Sequence, residues 1–218
     1  MSALRFLPLA SLAAISSPVR AEEDGNTWLG QFITLRASDK VFVRLEAQER
    51  FTNDSSRLGQ LLLRSLVGYR FARDAHAGAG YAFVMTDPVG PVKLNEHRFY
   101  EEVQVRLVRT RGGVTLDSRT RLEQRIFEER SGTQWRLRQW LQLRAPISEN
   151  NRLVLYTEPF VELGAGTVQR GGLSVWRNFA GVSLPLARNA ELVPGYLNQR
   201  VFRPGEDRID HTANVNLC

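Results

Sequence analysis

From residue 40 to residue 51 the chain alternates. Val41, Val43, Leu45, Ala47 and Phe51 fall on one parity, interrupted by Glu49, while Arg44, Glu46, Gln48 and Arg50 fall on the other. The rhythm returns at 114–127, where Leu116, Ser118, Thr120, Leu122, Gln124 and Ile126 oppose Asp117, Arg119, Arg121, Glu123 and Arg125. At 134–144, Trp135, Leu137, Leu141 and Leu143 oppose Arg136, Arg138, Trp140, Gln142 and Arg144. A period of two sends alternate side chains to opposite faces of a sheet. Wound at about 100° per residue, the same arginines would scatter around a helix, so the spacing predicts strands.

Eleven segments carry this signal: 28–35, 40–51, 59–71, 75–86, 95–110, 114–127, 134–146, 152–163, 173–185, 190–202 and 207–217. Turn chemistry separates them, as in Ala37-Ser38-Asp39, Asn53-Asp54-Ser55-Ser56, Gly112-Gly113 and Ser148-Glu149-Asn150-Asn151. Two architectures share the pattern. A soluble sandwich or barrel puts the apolar face inside; a transmembrane barrel puts it outside against lipid. Strand length favours the second, because soluble strands run about five or six residues and membrane strands about 9–11. Loop lengths agree. With the C-terminus on the periplasmic side, the outer loops 52–58, 87–94, 128–133, 164–172 and 203–206 outgrow the turns 36–39, 72–74, 111–113, 147–151 and 186–189 in four of five cases. The expected fold is therefore a closed, antiparallel, up-and-down transmembrane β-barrel of ten to twelve strands. An even number requires either that 28–35 is not a full strand, giving ten, or that 95–110 hides a turn, giving twelve.

Composition sharpens the picture through one imbalance. Of 29 basic residues among 218, only Lys40 and Lys93 are lysine; the rest are arginine. A pI near 10.1 points to nucleic acid until the N-terminus is read. Arg5, the apolar run Phe6 to Ile15, and Val19 and Ala21 at the −3 and −1 positions of a cleavage site form a secretory signal peptide over 1–21. The expected mature protein is a single domain, 22–218, and its formal charge is lower than +6 by Arg5 and Arg20. Export sets nucleic acid aside. The single cysteine, Cys218, excludes a disulfide framework and a cysteine-ligated zinc site.

Several of these rows resemble a known family. Trp28, Arg44-x-Glu46-x-Gln48-x-Arg50, Arg119-x-Arg121-x-Glu123-x-Arg125, Arg136-x-Arg138, Tyr156-x-Glu158 and Gly195-Tyr196-x-x-Gln199 look like signatures of domain of unknown function 2490. The resemblance spans 22–218 and implies a proteobacterial outer-membrane barrel. It implies no activity. Such barrels usually end on an aromatic residue, whereas this chain ends Asn216-Leu217-Cys218.

Catalytic chemistry finds little footing. His76, His97 and His211 are the three histidines, with no Gly-x-Ser-x-Gly elbow or His-x-Ser pair beside them. Neither spacing nor residue type builds a metal site, and Gly78-Ala79-Gly80 and Gly164-Ala165-Gly166 lack the third glycine and the helix of a dinucleotide loop. No cofactor or metal is expected. What remains is a lumenal charge lattice: Arg44, Glu46, Arg50, Arg119, Arg121, Glu123, Arg125, Arg136, Arg138, Arg144, Glu158 and Glu162, joined by Arg64, Arg70, Arg106, Arg177, Glu102 and Asp117. Arginine suits it, because a planar guanidinium pairs carboxylates two-pronged and keeps its charge. The expected protein is a non-enzymatic outer-membrane barrel, structural or a narrow anion-preferring channel. Its expected partners are lipid, the insertion machinery and small anionic solutes. The alternative is a soluble periplasmic barrel carrying a small acidic or amphiphilic ligand.

Overall fold

A computed structural model describes residues 22–87, 93–164 and 171–218; the signal peptide expected over 1–21 lies outside them, as do parts of the loops 87–94 and 164–172. Eleven strands form: β1 (Glu22–Arg36), β2 (Val41–Thr52), β3 (Arg57–Ala72), β4 (Ala75–Thr86), β5 (Leu94–Arg109), β6 (Thr115–Phe127), β7 (Thr133–Pro146), β8 (Arg152–Glu162), β9 (Gly172–Ala187), β10 (Ala190–Val201) and β11 (Arg208–Leu217). Each pairs with its sequence neighbours, and β1 pairs with β11 to close a barrel. Ten to sixteen residues per strand exceed the usual soluble length.

Both routes to an even count fail. β1 is a full strand, hydrogen-bonded to β2 on one side and β11 on the other, and it begins six residues before the sequence pattern places it. β5 contains no turn; only a register shift between Arg106 and Val108 interrupts it. The fully antiparallel expectation fails with them. Strands that alternate in direction give the first and eleventh the same sense, so β1 and β11 pair in parallel, Trp28 opposite Asn214.

The strands are steeply staggered. Cross-strand partners from Trp28 run through Asn214, Gly195, Gly181, Val154 and Arg144 to Thr115, at the start of β6. In the other direction they run through Arg50, Gln60 and Thr86 to Leu94, opposite the loop that follows β6. The two circuits meet β6 at opposite ends, which is the shear that a closed barrel requires. Connections at one end (the loop end: 53–56, 87–93, 128–132, 163–171 and 202–207) run to nine residues. Those at the other (the foot: 37–40, 73–74, 110–114, 147–151 and 188–189) run to five.

The barrel is polar within and apolar without. Leu63, Val67, Phe71, Phe99, Val103 and Trp176 project outward and are exposed, whereas Glu102, Arg121, Glu123 and Asp210 are buried inside. Inward aromatics supply the rest of the filling. Phe42 packs with Leu66 and Tyr100, and Trp28 with Val154, Phe179, Val193 and Leu197. Such burial is worth about 1.5–3 kcal/mol for each large side chain. Glycines make the room. A methyl on Gly80 would meet the Tyr100 ring within 2.5 Å, and methyls on Gly181 and Gly195 would both meet Phe179.

Candidate functional site

All twelve residues of the expected lattice project into the lumen, because each lies on the inward parity of β2, β6, β7 or β8. Their surroundings divide them. On β5–β8 the charges are locked together. Glu123, fully buried, accepts from Arg136 Nε at 2.9 Å and from Arg138 Nη1 at 2.8 Å, with Arg121 Nη1 at 3.7 Å. Glu158 accepts from Arg138 Nη2 at 2.8 Å and from Arg119 Nη2 at 3.0 Å. Arg125 reaches Glu96 through Nε at 2.5 Å and Glu162 through Nη1 at 3.5 Å. Arg121 donates to Glu102 through Nε at 3.0 Å. These contacts cross-link strands carboxylate by carboxylate, and the Arg138 guanidinium also lies 4.2 Å from the Phe160 ring centroid.

Two struts cross toward the other strands. Arg44 on β2 donates to Glu102 on β5 at 3.1 Å, and Arg144 on β7 donates to Glu191 on β10 at 3.0 Å. Arg64 on β3 grips Glu46 on β2 through one nitrogen at 2.8 and 2.9 Å.

Arg50 and Arg177 differ from all of these. Among the described residues neither has a carboxylate within ion-pair distance. Arg50 donates to the amide oxygens of Gln48 and Gln60, at 2.6 and 2.5 Å, and Arg177 to that of Gln199 at 2.7 Å. Both guanidiniums stand against one indole, 4.1 and 4.8 Å from the Trp28 ring centroid. The stagger accounts for their meeting: Arg50 is the cross-strand partner of Trp28, and Arg177 reaches it past β10 and β11. Trp28, Arg50, Arg64, Arg138 and Arg177 separate two cavities. One, of about 680 Å³, extends toward the loop end; the other, of about 270 Å³, extends toward the foot and ends beside Glu191 and Cys218. The layer between them, the throat, holds four arginines.

The sequence pattern overlooked part of this site. Glu96 and Arg98 form a buried inward pair at 2.6 Å on β5, and Gln199 and Asp210 line the β10–β11 wall, linked at 2.6 Å. Their signal was present, since Glu96, Arg98 and Glu102 share the parity of Arg106, but the segment lacked the strict apolar partner row seen elsewhere. The sequence names Trp28 among the family-like residues but does not show it as the indole beside two guanidiniums.

Outside the lumen, His97 joins Tyr81, at 2.7 Å, to Glu128, at 2.9 Å, on the outer face near the loop end. Hydrogen bonds from Asn95 and from His97 hold the Glu128 carboxyl below its usual range. That chain of groups contains no serine, threonine or cysteine. His211 is likewise outward, against Tyr196. His76 faces inward, 3.9 Å from Glu102. Among the described residues no group of three or more histidine, cysteine, aspartate or glutamate side chains is arranged to hold a metal ion.

The family described as protein of unknown function DUF2490 matches residues 25–210. An uncharacterized protein of Methylorubrum extorquens is 31% identical over 222 residues, covering 97% of this chain and 96% of the relative. The chain, an eleven-stranded closed barrel with a charged lumen, belongs to the DUF2490 family.

Proposed function

We propose that this protein is exported and sits in the outer membrane as a non-catalytic barrel whose lumen prefers small anions. The observation that carries the reading is the throat, where two cavities meet at a layer of four arginines and two of the four have no carboxylate partner among the described residues. A locked ion pair is spent; a guanidinium held only by neutral amides and an indole presents net positive charge to whatever approaches.

The exterior supports the membrane part. Apolar side chains from Ile33 to Leu186 stand exposed, with Tyr69 and Phe71 toward the foot and Trp135 and Trp176 toward the loop end, the distribution of an apolar band between aromatic girdles. Polar groups on that face satisfy one another: Thr120 donates to Gln139 at 2.6 Å, and Trp176 Nε1 to Thr157 at 2.8 Å. Leu63 and Val67 are exposed on the outer face, which supports a lipid-facing exterior over the soluble alternative. On this reading the partners are membrane lipid, the machinery that inserts barrels, and small anionic solutes.

Reconstitution in a planar bilayer under a salt gradient tests it. A reversal potential of anion-selective sign is the expected result. A closed bilayer, or cation preference, would end the reading.

A further inference from the structure

The cavity toward the foot carries more chemistry than anion passage requires. One wall is aromatic: Tyr156 stacks on Phe179 at 4.9 Å between centroids and 14° between planes, and Trp140 leans on Tyr156 at 6.1 Å. The cationic wall faces the same space. Arg50 and Arg177 enter it without carboxylate partners among the described residues, and Arg119 stands 5.0 Å over the Trp140 ring. Among the described residues, three buried donors, Arg64 Nε, Arg119 Nε and Arg144 Nε, and one buried acceptor, Asn214 Oδ1, have no hydrogen-bond partner. Covered polar atoms of this kind are rare, because each costs about 1–3 kcal/mol when left unpaired.

We infer that this chamber is a binding site for a small aromatic carboxylate. The inference deepens the anion reading above and rests on it for the sign of the ligand's charge. Flat aromatic walls select a flat ring, which gains offset stacking that an aliphatic acid cannot. Guanidiniums without carboxylates select a planar, two-oxygen anion, which they bind two-pronged. A space of about 270 Å³ lies just below the usual range of ligand cavities, so the body is a single ring. Amines are repelled by the arginines, and neutral aromatics leave the guanidiniums unpaired. Benzoate is the simplest molecule with both required features.

The test uses the full chain in detergent micelles, titrated with benzoate, benzamide and acetate. Trp28 and Trp140 line the chamber, whereas Trp135 and Trp176 are exposed on the outer face, so intrinsic fluorescence reports occupancy. Benzoate gives a saturable change; benzamide, the neutral isostere, and acetate, the ringless acid, give none over the same range. Arg50→Gln with Arg177→Gln weakens benzoate binding about tenfold or more, equivalent to one lost charge-assisted pair. Trp140→Leu weakens it independently, should the arginine variant not fold. Equal responses to benzoate and benzamide, equal responses to benzoate and acetate, or no saturation would overturn the inference. Because no current is measured, those outcomes leave anion selectivity across a bilayer to its own experiment.

Discussion

Arg138 and Arg177 are the same residue in the same lumen, and they do opposite work. Arg138 is gripped by Glu123 and Glu158 and lies over Phe160. Arg177 stands over the same Phe160 ring, at 4.7 Å, but its polar contact is a neutral amide. The first belongs to a wall, β5–β8, where charge is consumed in holding strands together. The second belongs to the β9–β2 side, where charge is left available. A lumen can therefore be rich in arginine and still localise its net positive field to one layer. Matching register alone does not set the difference: Glu158 is the cross-strand partner of Arg177, yet its oxygens turn toward Arg138 and Arg119.

Breaking the locked wall produces the largest expected effect. Glu123→Ala strands Arg136 and Arg138 without one of their carboxylates in a buried site, and the cost is about 3–5 kcal/mol. Denaturant unfolding of the micelle-bound barrel measures it, and a loss below about 1 kcal/mol would show that the wall is not cooperative. The outer face comes next. Leu63→Arg places a cation among exposed apolar side chains, and in a bilayer it costs about 2–4 kcal/mol. Folding into lipid vesicles reads the penalty; a neutral result there would break the membrane reading while leaving the lumen untouched. Third stands the open side. Arg177→Ala removes one hydrogen bond and two cation–ring contacts, and the stability lost is about 1–2 kcal/mol, well under that of Glu123→Ala. Its main consequence is a smaller anion selectivity, seen as a reversal potential nearer zero.

The smallest effect belongs to a foot-end turn. Arg109 donates to Asp74 at 2.5 Å, and that hydrogen bond holds the carboxyl below its usual range. A carboxylate with a lowered folded value adds stability above its unfolded value and loses it as pH falls through the folded one. The difference in unfolding midpoint between the native chain and Asp74→Asn accordingly narrows only below about pH 4. A gap that widens on acidification would contradict the pairing.

Alternation made most of this legible. Inward parity on β2, β6, β7 and β8 follows from residue spacing alone, because a period of two leaves no freedom once one side chain is placed. Strand number was not legible, for a physical reason. Whether Glu22 to Thr27 extends a ladder depends on a partner strand more than 180 residues away, and polar residues there carry no alternation to announce it. The arginine throat was equally hidden. Which arginine finds a carboxylate is decided by stagger around the circumference, and Arg50 and Arg177 are separated by β1, β11 and β10. Parity gives the face of a side chain, not its height.

The parallel seam carries a topological consequence. Because β1 and β11 run the same way, Glu22 lies at the loop end and Leu217 at the foot. In a barrel with an even number of strands the two ends emerge together, and a short linker makes a circular permutant. Here a linker from Leu217 to Glu22 would have to travel the full height of the barrel. Probes attached at Glu22 and at Leu217 would accordingly report from opposite mouths of the same lumen.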